Sequence, residues 1–240
     1  YLYKEKEKTI RLSDLILSLE KLKGITRIRF MTSHPKDMTE DLIDCFKKSK
    51  KLMPTLHLPV QSGSNSILKS MNRKHTIEEY ISIINKLKKI NKNIEFSSDF
   101  IIGYPGETDK DFEETLLLVK KINFINSYSF IFSARPGTKA ANYKILDKII
   151  LEKRLKIIQN QLFKNQIEKN KSQEGKLVNV LVENIMNDQK KFFGRTEFMT
   201  PVIFDGNVRD IGEVVQIRIT NSNKNSLFGN IKRHQIKKVA

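Results

Sequence analysis

Apolar positions follow two different periods along the chain. Short apolar or β-branched runs recur at intervals of roughly thirty residues, at 28–32, 56–60, 94–102 and 128–132. Helical spacing fills the intervals. Leu12, Leu15, Ile16 and Leu19 recur at i, i+3, i+4 and i+7 before the first run, and residues 39–50, 76–89 and 109–122 carry the same period between the others. Thr76 followed by Glu79 has capping-box spacing, and Asp109 ahead of Phe112 and Glu113 marks a further helix start. Strand alternating with helix predicts βαβ units and a parallel sheet. A closed eight-stranded barrel takes about 250 residues, so this stretch is half of one, either open or truncated. A helix ahead of the first strand favours truncation on the N-terminal side.

The pattern changes after Thr138. Leu151, Leu155, Ile158, Leu162 and Phe163 form an apolar stripe on a Lys-rich helix predicted to end near Lys171, with Gly175 breaking it. From Leu177 the period is two: Val178, Val180 and Val182; Val202 and Phe204; Val215, Ile217 and Ile219; Leu227, Gly229 and Ile231. Turn signals at Asp205-Gly206-Asn207 and Asn221-Ser222-Asn223 separate these runs. The expectation is an α/β domain over 1–150, a connecting helix over 151–171, and a small all-β, OB-like barrel over 172–240, a frequent nucleic-acid module.

Composition narrows the classes. With 39% hydrophobic and 30% charged residues in 240, the chain can bury a core. No run approaches the roughly 18 apolar residues that span a bilayer, and no signal peptide is visible. The net charge of +17 suits a polyanionic partner, or alternatively a solvated surface in a chain rich in Lys, Ile and Asn. Residues 1–171 hold 33 basic and 20 acidic side chains, residues 172–240 hold 11 and 7, so most of the excess precedes the small barrel. One cysteine, Cys45, excludes an internal disulfide and any all-cysteine metal site built by this chain alone. It lies on a helical segment and reads as a buried apolar residue.

Ligands of parallel α/β folds sit beyond the carboxyl ends of the strands, and those ends are polar here. They read Thr32-Ser33-His34-Pro35, His57-Leu58-Pro59-Val60-Gln61-Ser62-Gly63-Ser64, Ser97-Ser98-Asp99-Phe100-Ile101-Ile102-Gly103-Tyr104-Pro105-Gly106-Glu107 and Ser133-Ala134-Arg135-Pro136-Gly137-Thr138. Ser97 and Asp99 share a strand face, where they either bind ribose hydroxyls or an amine or form a buried hydrogen-bonding pair. Gln61, Ser62 and Ser64 either bind a polar ligand or cap a helix beginning near Asn65. Gly103 and Gly106 admit close backbone approach or a tight turn. Arg135 calls for an acid or an anionic ligand. His34 and His57 are proton-transfer or metal candidates, or structural hydrogen-bonding groups. In the small barrel, Lys190, Lys191, Phe193 and Arg195 interleave cations and aromatics as RNA binders do; a hairpin with two core phenylalanines, Phe192 and Phe193, is the alternative.

Taken in order, these segments resemble the MiaB-type tRNA methylthiotransferases of the radical S-adenosylmethionine group. The resemblance rests on residues 57–64, on Met71-Asn72-Arg73-Lys74-His75-Thr76, on residues 98–108 and on residues 127–138 with Arg135-Pro136-Gly137-Thr138. It extends to a C-terminal TRAM domain carrying Phe193-Gly194-Arg195-Thr196-Glu197. The fold it implies is a partial (β/α) radical-SAM barrel, its last four βα units, followed by the TRAM barrel. It further implies that Gln61, Ser62, Ser97, Asp99, Ile102 and Arg135 bind S-adenosylmethionine, with backbone at residues 101–103 beside the adenine. Lys190, Lys191, Phe193 and Arg195 would meet RNA, and no catalytic side chain is assigned. The implied reaction is methylthiolation at C2 of N6-isopentenyladenosine 37 in tRNA, with threonylcarbamoyladenosine 37 as the alternative substrate. A cytoplasmic monomer gripping the anticodon stem-loop, with no membrane partner, completes the expectation.

The family holds two [4Fe-4S] clusters, one through Cys-Xaa₃-Cys-Xaa₂-Cys and one through three cysteines of an N-terminal domain. Cys45 matches neither set, and the family's early Gly-Gly-Glu strand is missing. The resemblance is therefore to the C-terminal part of such an enzyme, and the 240 residues alone are expected to lack catalysis. A cluster-free RNA-binding protein on the same scaffold is the competing expectation.

Overall fold

The computed structural model describes residues 2–5, 8–32, 34–186 and 191–232, and the chain divides into two compact units, Tyr1–Leu162 and Phe163–Ala240. Unit one opens with a hairpin that the charged sequence around it did not suggest: β1 (Leu2–Glu5) pairs antiparallel with β2 (Lys8–Arg11). It continues through α1 (Leu12–Glu20), α2 (Glu40–Lys48), β3 (Thr55–His57), α3 (Asn65–Ser70), α4 (Ile77–Ile90), β4 (Glu95–Ser97), β5 (Asp99–Ile102), α5 (Asp109–Ile122), β6 (Tyr128–Ile131) and α6 (Lys148–Lys171), the last running past the unit boundary.

The strands of the α/β layer are parallel, β3 pairing with β4 and β5 with β6, and Gln61 bridges to Phe100. Two expected strands are corrected. Residues 28–32 make only isolated bridges, Ile28 to Leu52 and Met31 to His57. Ile28 and Met31 lie three residues apart but their partners Leu52 and His57 lie five apart, with Pro54 between, so no regular ladder can run through both. Residues 94–102 are not one strand but β4 and β5, divided at Ser98.

Alternation still holds across that division. Phe96, Ser98, Phe100 and Ile102 are buried, and the carbon side chains among them join Leu56, Leu58 and Val60 in a core with Tyr80, Ile84, Leu87 and Val119 of the helices. Burying one such side chain is worth about 1.5–3 kcal/mol. Helix starts follow local chemistry. Thr76 Oγ1 accepts the Glu79 N–H at 3.3 Å while Glu79 Oε2 accepts the Thr76 N–H at 2.9 Å. At α5 the capping residue is Thr108 rather than Asp109, and its reciprocal partner is Asp111. Among the described residues no helix is long and apolar enough to cross a membrane.

Unit two contains a closed five-stranded barrel of β7 (Leu177–Ile185), β8 (Lys191–Thr196), β9 (Pro201–Asp205), β10 (Val214–Ser222) and β11 (Leu227–Ile231), ordered β10-β11-β9-β8-β7. All its pairings are antiparallel except β9 with β11. Period-two residues fill it: Val180, Val182, Phe192, Val202, Phe204, Ile217, Ile219 and Leu227. Gly194 and Gly229 sit where neighbouring strands approach closely; a Cβ at either would lie 2.3 Å from a carbonyl oxygen, of Leu181 and Arg218 respectively.

Candidate functional site

A cavity of about 800 Å³ opens in unit one on the sheet face opposite the buried core. Gln61 and Asp99 line it from the strands, Asn72 and Arg73 from the turn after α3, and Arg135 and Lys139 from the segment after β6; Ile101, Tyr104, Phe130 and Phe132 supply apolar wall. The wall is tied together locally. Tyr104 donates its hydroxyl to the Ser70 carbonyl at 2.8 Å and meets Phe132 edge to face at 5.1 Å.

The structure thus brings together three of the six residues expected at a cofactor site, Gln61, Asp99 and Arg135. Ser97 lies one shell behind. Its hydroxyl contacts His57 Nδ1 at 2.9 Å, and His57 Nε2 reaches Asp99 Oδ2 at 3.3 Å, so the imidazole bridges the two side chains that share the strand face. Ser62 is fully buried, 3.3 Å from the Thr115 hydroxyl, and Ile102 points its side chain into the core. At Ile102 only the backbone is available to a ligand, and its carbonyl already accepts the Phe132 N–H at 2.8 Å. Ser64 does not cap α3; it donates to Asp111 Oδ1 at 2.5 Å. Arg135 is exposed and makes no ion pair with another described residue.

Three residues of this region carried no assigned role in the sequence. Arg73 belongs to the turn whose Asn72 takes φ 56°. Burial pushes its guanidinium below the ordinary value and the Asp99 carboxylate acts against that. His75 is buried with neither ring nitrogen hydrogen-bonded among the described residues, 5.0 Å from His34 edge to face. Burial, then His34 and Arg73, lower its pKa from 6.5 to about 4. Arg154 sits on the apolar stripe of α6, and that placement was its only signal. Its Nη1 donates to Glu107 Oε1 at 2.6 Å and to the Glu107 carbonyl at 3.2 Å, its Nη2 to Asp109 Oδ1 at 2.7 Å. Glu107 Oε1 also accepts the Gly103 N–H at 3.1 Å, so α6 holds the loop leaving β5.

In the barrel, Lys191, Phe193 and Arg195 alternate along β8, while Lys190 lies outside the described residues. The alternative with two core phenylalanines is corrected: Phe192 is buried in the barrel, whereas Phe193 stands on the other face with the Arg195 guanidinium 4.9 Å from its ring centre. Lys191 pairs with Asp205 at 2.8 Å, and Arg195 with Glu183.

The donor set matches a zwitterionic nucleoside. Asp99 and Gln61 suit an ammonium or ribose hydroxyls, and Arg73 and Arg135 suit a carboxylate, all around one cavity. It does not match an iron–sulfur cluster. The one cysteine is fully buried on α2, 3.8 Å from the Ser13 carbonyl, and burial first, then Asp41, push its thiol pKa up to about 11.

Residues 2–119 match the model of the Radical SAM superfamily and residues 171–232 that of the TRAM domain. The chain therefore joins a segment similar to radical S-adenosylmethionine proteins to a TRAM-like segment. A relative from Pelagibacter ubique named tRNA-2-methylthio-N(6)-dimethylallyladenosine synthase is 61% identical over the whole chain, which covers 54% of that relative. One of the same name from Buchnera aphidicola is 46% identical over 93% of this chain and 51% of its own length. The chain thus spans about half the length of these curated relatives. Among solved structures, the radical SAM enzyme coproporphyrinogen III oxidase of Escherichia coli shares the fold, with a TM-score of 0.52 and 15% identity over 91% of this chain and 55% of its own.

Two outcomes follow from the buried Arg154 and His75. Arg154→Ala leaves Glu107 buried without its cation and lowers stability by about 3–5 kcal/mol in denaturant unfolding, with Arg154→Lys recovering part. Because neutral His75 takes up a proton at 6.5 when unfolded but only near 4 when folded, stability is retained above 6.5 and declines as the pH falls toward 4. In His75→Phe that decline is shallower, measured as the urea midpoint at several pH values.

Proposed function

We propose that this chain is the cofactor-binding and RNA-binding portion of a tRNA methylthiotransferase that makes 2-methylthio-N6-dimethylallyladenosine. The observation that carries the reading is the meeting of Gln61, Arg73, Asp99 and Arg135 on one cavity in a chain 61% identical to a relative of that name. S-adenosylmethionine, when bound, supplies the hydrogen-abstracting group and the methyl. The chain's own part is to orient it. Asp99, held by His57, accepts hydrogen bonds from the ribose or the ammonium, and Arg73 and Arg135 hold the carboxylate. The backbone of residues 101–103, fixed through Gly103 by Glu107 and Arg154, lies beside the adenine. The two [4Fe-4S] clusters of the family need cysteines that these 240 residues do not carry, so no step through a cluster is assigned to them.

Lys191, Phe193 and Arg195 give the barrel an RNA-facing strand. Their acidic partners are partly exposed, and such pairs are worth only about 0–1 kcal/mol, so phosphates can displace the carboxylates. A tRNA anticodon stem-loop is the substrate and the cytoplasm the place of action. Nucleoside analysis of tRNA tests this. Disrupting the gene that encodes this chain removes 2-methylthio-N6-dimethylallyladenosine and leaves N6-dimethylallyladenosine. Restoring it with Asp99→Asn or Arg135→Ala returns about a tenth of the product or less. Unchanged nucleosides contradict the proposal, and loss of the methylthiolated threonylcarbamoyladenosine instead transfers it to the other substrate.

A further inference from the structure

Two large aromatic side chains stand in solvent beside the cavity. Tyr128 and Phe130 of β6 are 62% and 55% exposed, and they lie in register with Asp99 and Ile101 of β5, which line the cavity. Phe130 is itself part of the cavity wall. The two rings are close to parallel, 17° apart, with centroids 6.4 Å from each other. Two exposed, nearly parallel aromatic faces on one strand offer a flat ring a surface to stack on.

We propose that Tyr128 and Phe130 form the subsite for the target nucleobase, a purine turned out of an RNA loop. This rests on the function proposed above and names where its substrate sits. The occupant follows from three features of the site. A planar ring system matches parallel aromatic faces. Lys139, at the same cavity, matches a phosphate that accompanies a base. Phe130 belongs to both the pair and the cavity, so a base stacked there lies alongside the cofactor, and Ile101 and Phe130 offer apolar surface to a dimethylallyl substituent. An enzyme acting on a base must take it out of the stack, and an aromatic platform compensates the lost stacking.

The test uses the 240-residue chain and an anticodon stem-loop RNA carrying 2-aminopurine at the target position, whose fluorescence is quenched on stacking. Binding of S-adenosylhomocysteine is titrated in parallel. The expected result is quenching by the unsubstituted protein, its loss in Tyr128→Leu and Phe130→Leu with RNA affinity reduced about fivefold or more, and its return in Tyr128→Phe and Phe130→Tyr. S-adenosylhomocysteine binding stays unchanged in the Tyr128 variants, whose side chain does not line the cavity. Leucine variants that quench as the unsubstituted protein does overturn the subsite. So does quenching that survives while the leucine variants lose thermal stability, which marks the pair as a packing surface for further polypeptide. S-adenosylhomocysteine binding without any quenching overturns the subsite alone; failure to bind either probe removes the function reading with it.

Discussion

The cavity face of the sheet depends on a single slip of register. His57 stands opposite Ser97, but Gln61 stands opposite Phe100, one residue out of step. Pro59 lies between them and has no N–H to give. The backbone groups around it find other partners: the Val60 N–H donates to Ser98 Oγ at 2.9 Å, and the Leu58 carbonyl accepts the Tyr80 hydroxyl at 2.9 Å. Gln61 then takes φ 76°, the left-handed region that a residue of its kind rarely adopts. Its N–H still reaches the Asp99 carbonyl at 3.0 Å, and its own carbonyl accepts the Ile101 N–H at 2.9 Å. A polar amide and a carboxylate therefore share one wall while Val60, Ser98 and Phe100 remain buried behind it.

Rigidity elsewhere around the cavity comes from contacts distant in sequence. Gly103 takes φ 73° and leaves no room for a Cβ, which would fall 1.9 Å from Leu151 Cδ2 of α6. The same helix supplies Arg154 to the Glu107 carboxylate. Burial pushes that carboxyl up, while Arg154 and the Gly103 N–H pull it down. A buried ion pair of this kind does more to fix geometry than to add stability, since desolvation offsets much of its attraction. The loop expected beside the adenine is thus fixed by packing at one end and by charge at the other.

Much of this was legible in the order of residues. The helices follow from 3.6-residue spacing and capping chemistry, as at Thr76 and Glu79, and the barrel from strict alternation such as Val178, Val180 and Val182. Residues 28–32 looked like a strand by composition alone, but the spacing of their partners around Pro54 breaks the ladder, which no local pattern reveals. Asp99 and Gln61 could be named because polar residues at strand ends are unusual. Position along the strand says less about side-chain direction: Ile102 alternates to the core side, and Ser62 follows a left-handed residue and turns inward to Thr115. Arg154 stayed hidden because its partners lie more than forty residues away in sequence.

The central claim is that the polar cavity at the strand ends receives S-adenosylmethionine. Hydrogen exchange of the chain with and without saturating S-adenosylhomocysteine tests it most directly. The account predicts slowed exchange in peptides covering residues 99–107 and 131–140, with residues 177–231 unaffected. No protection at 99–107 and 131–140, or protection confined to the barrel strands, would contradict it.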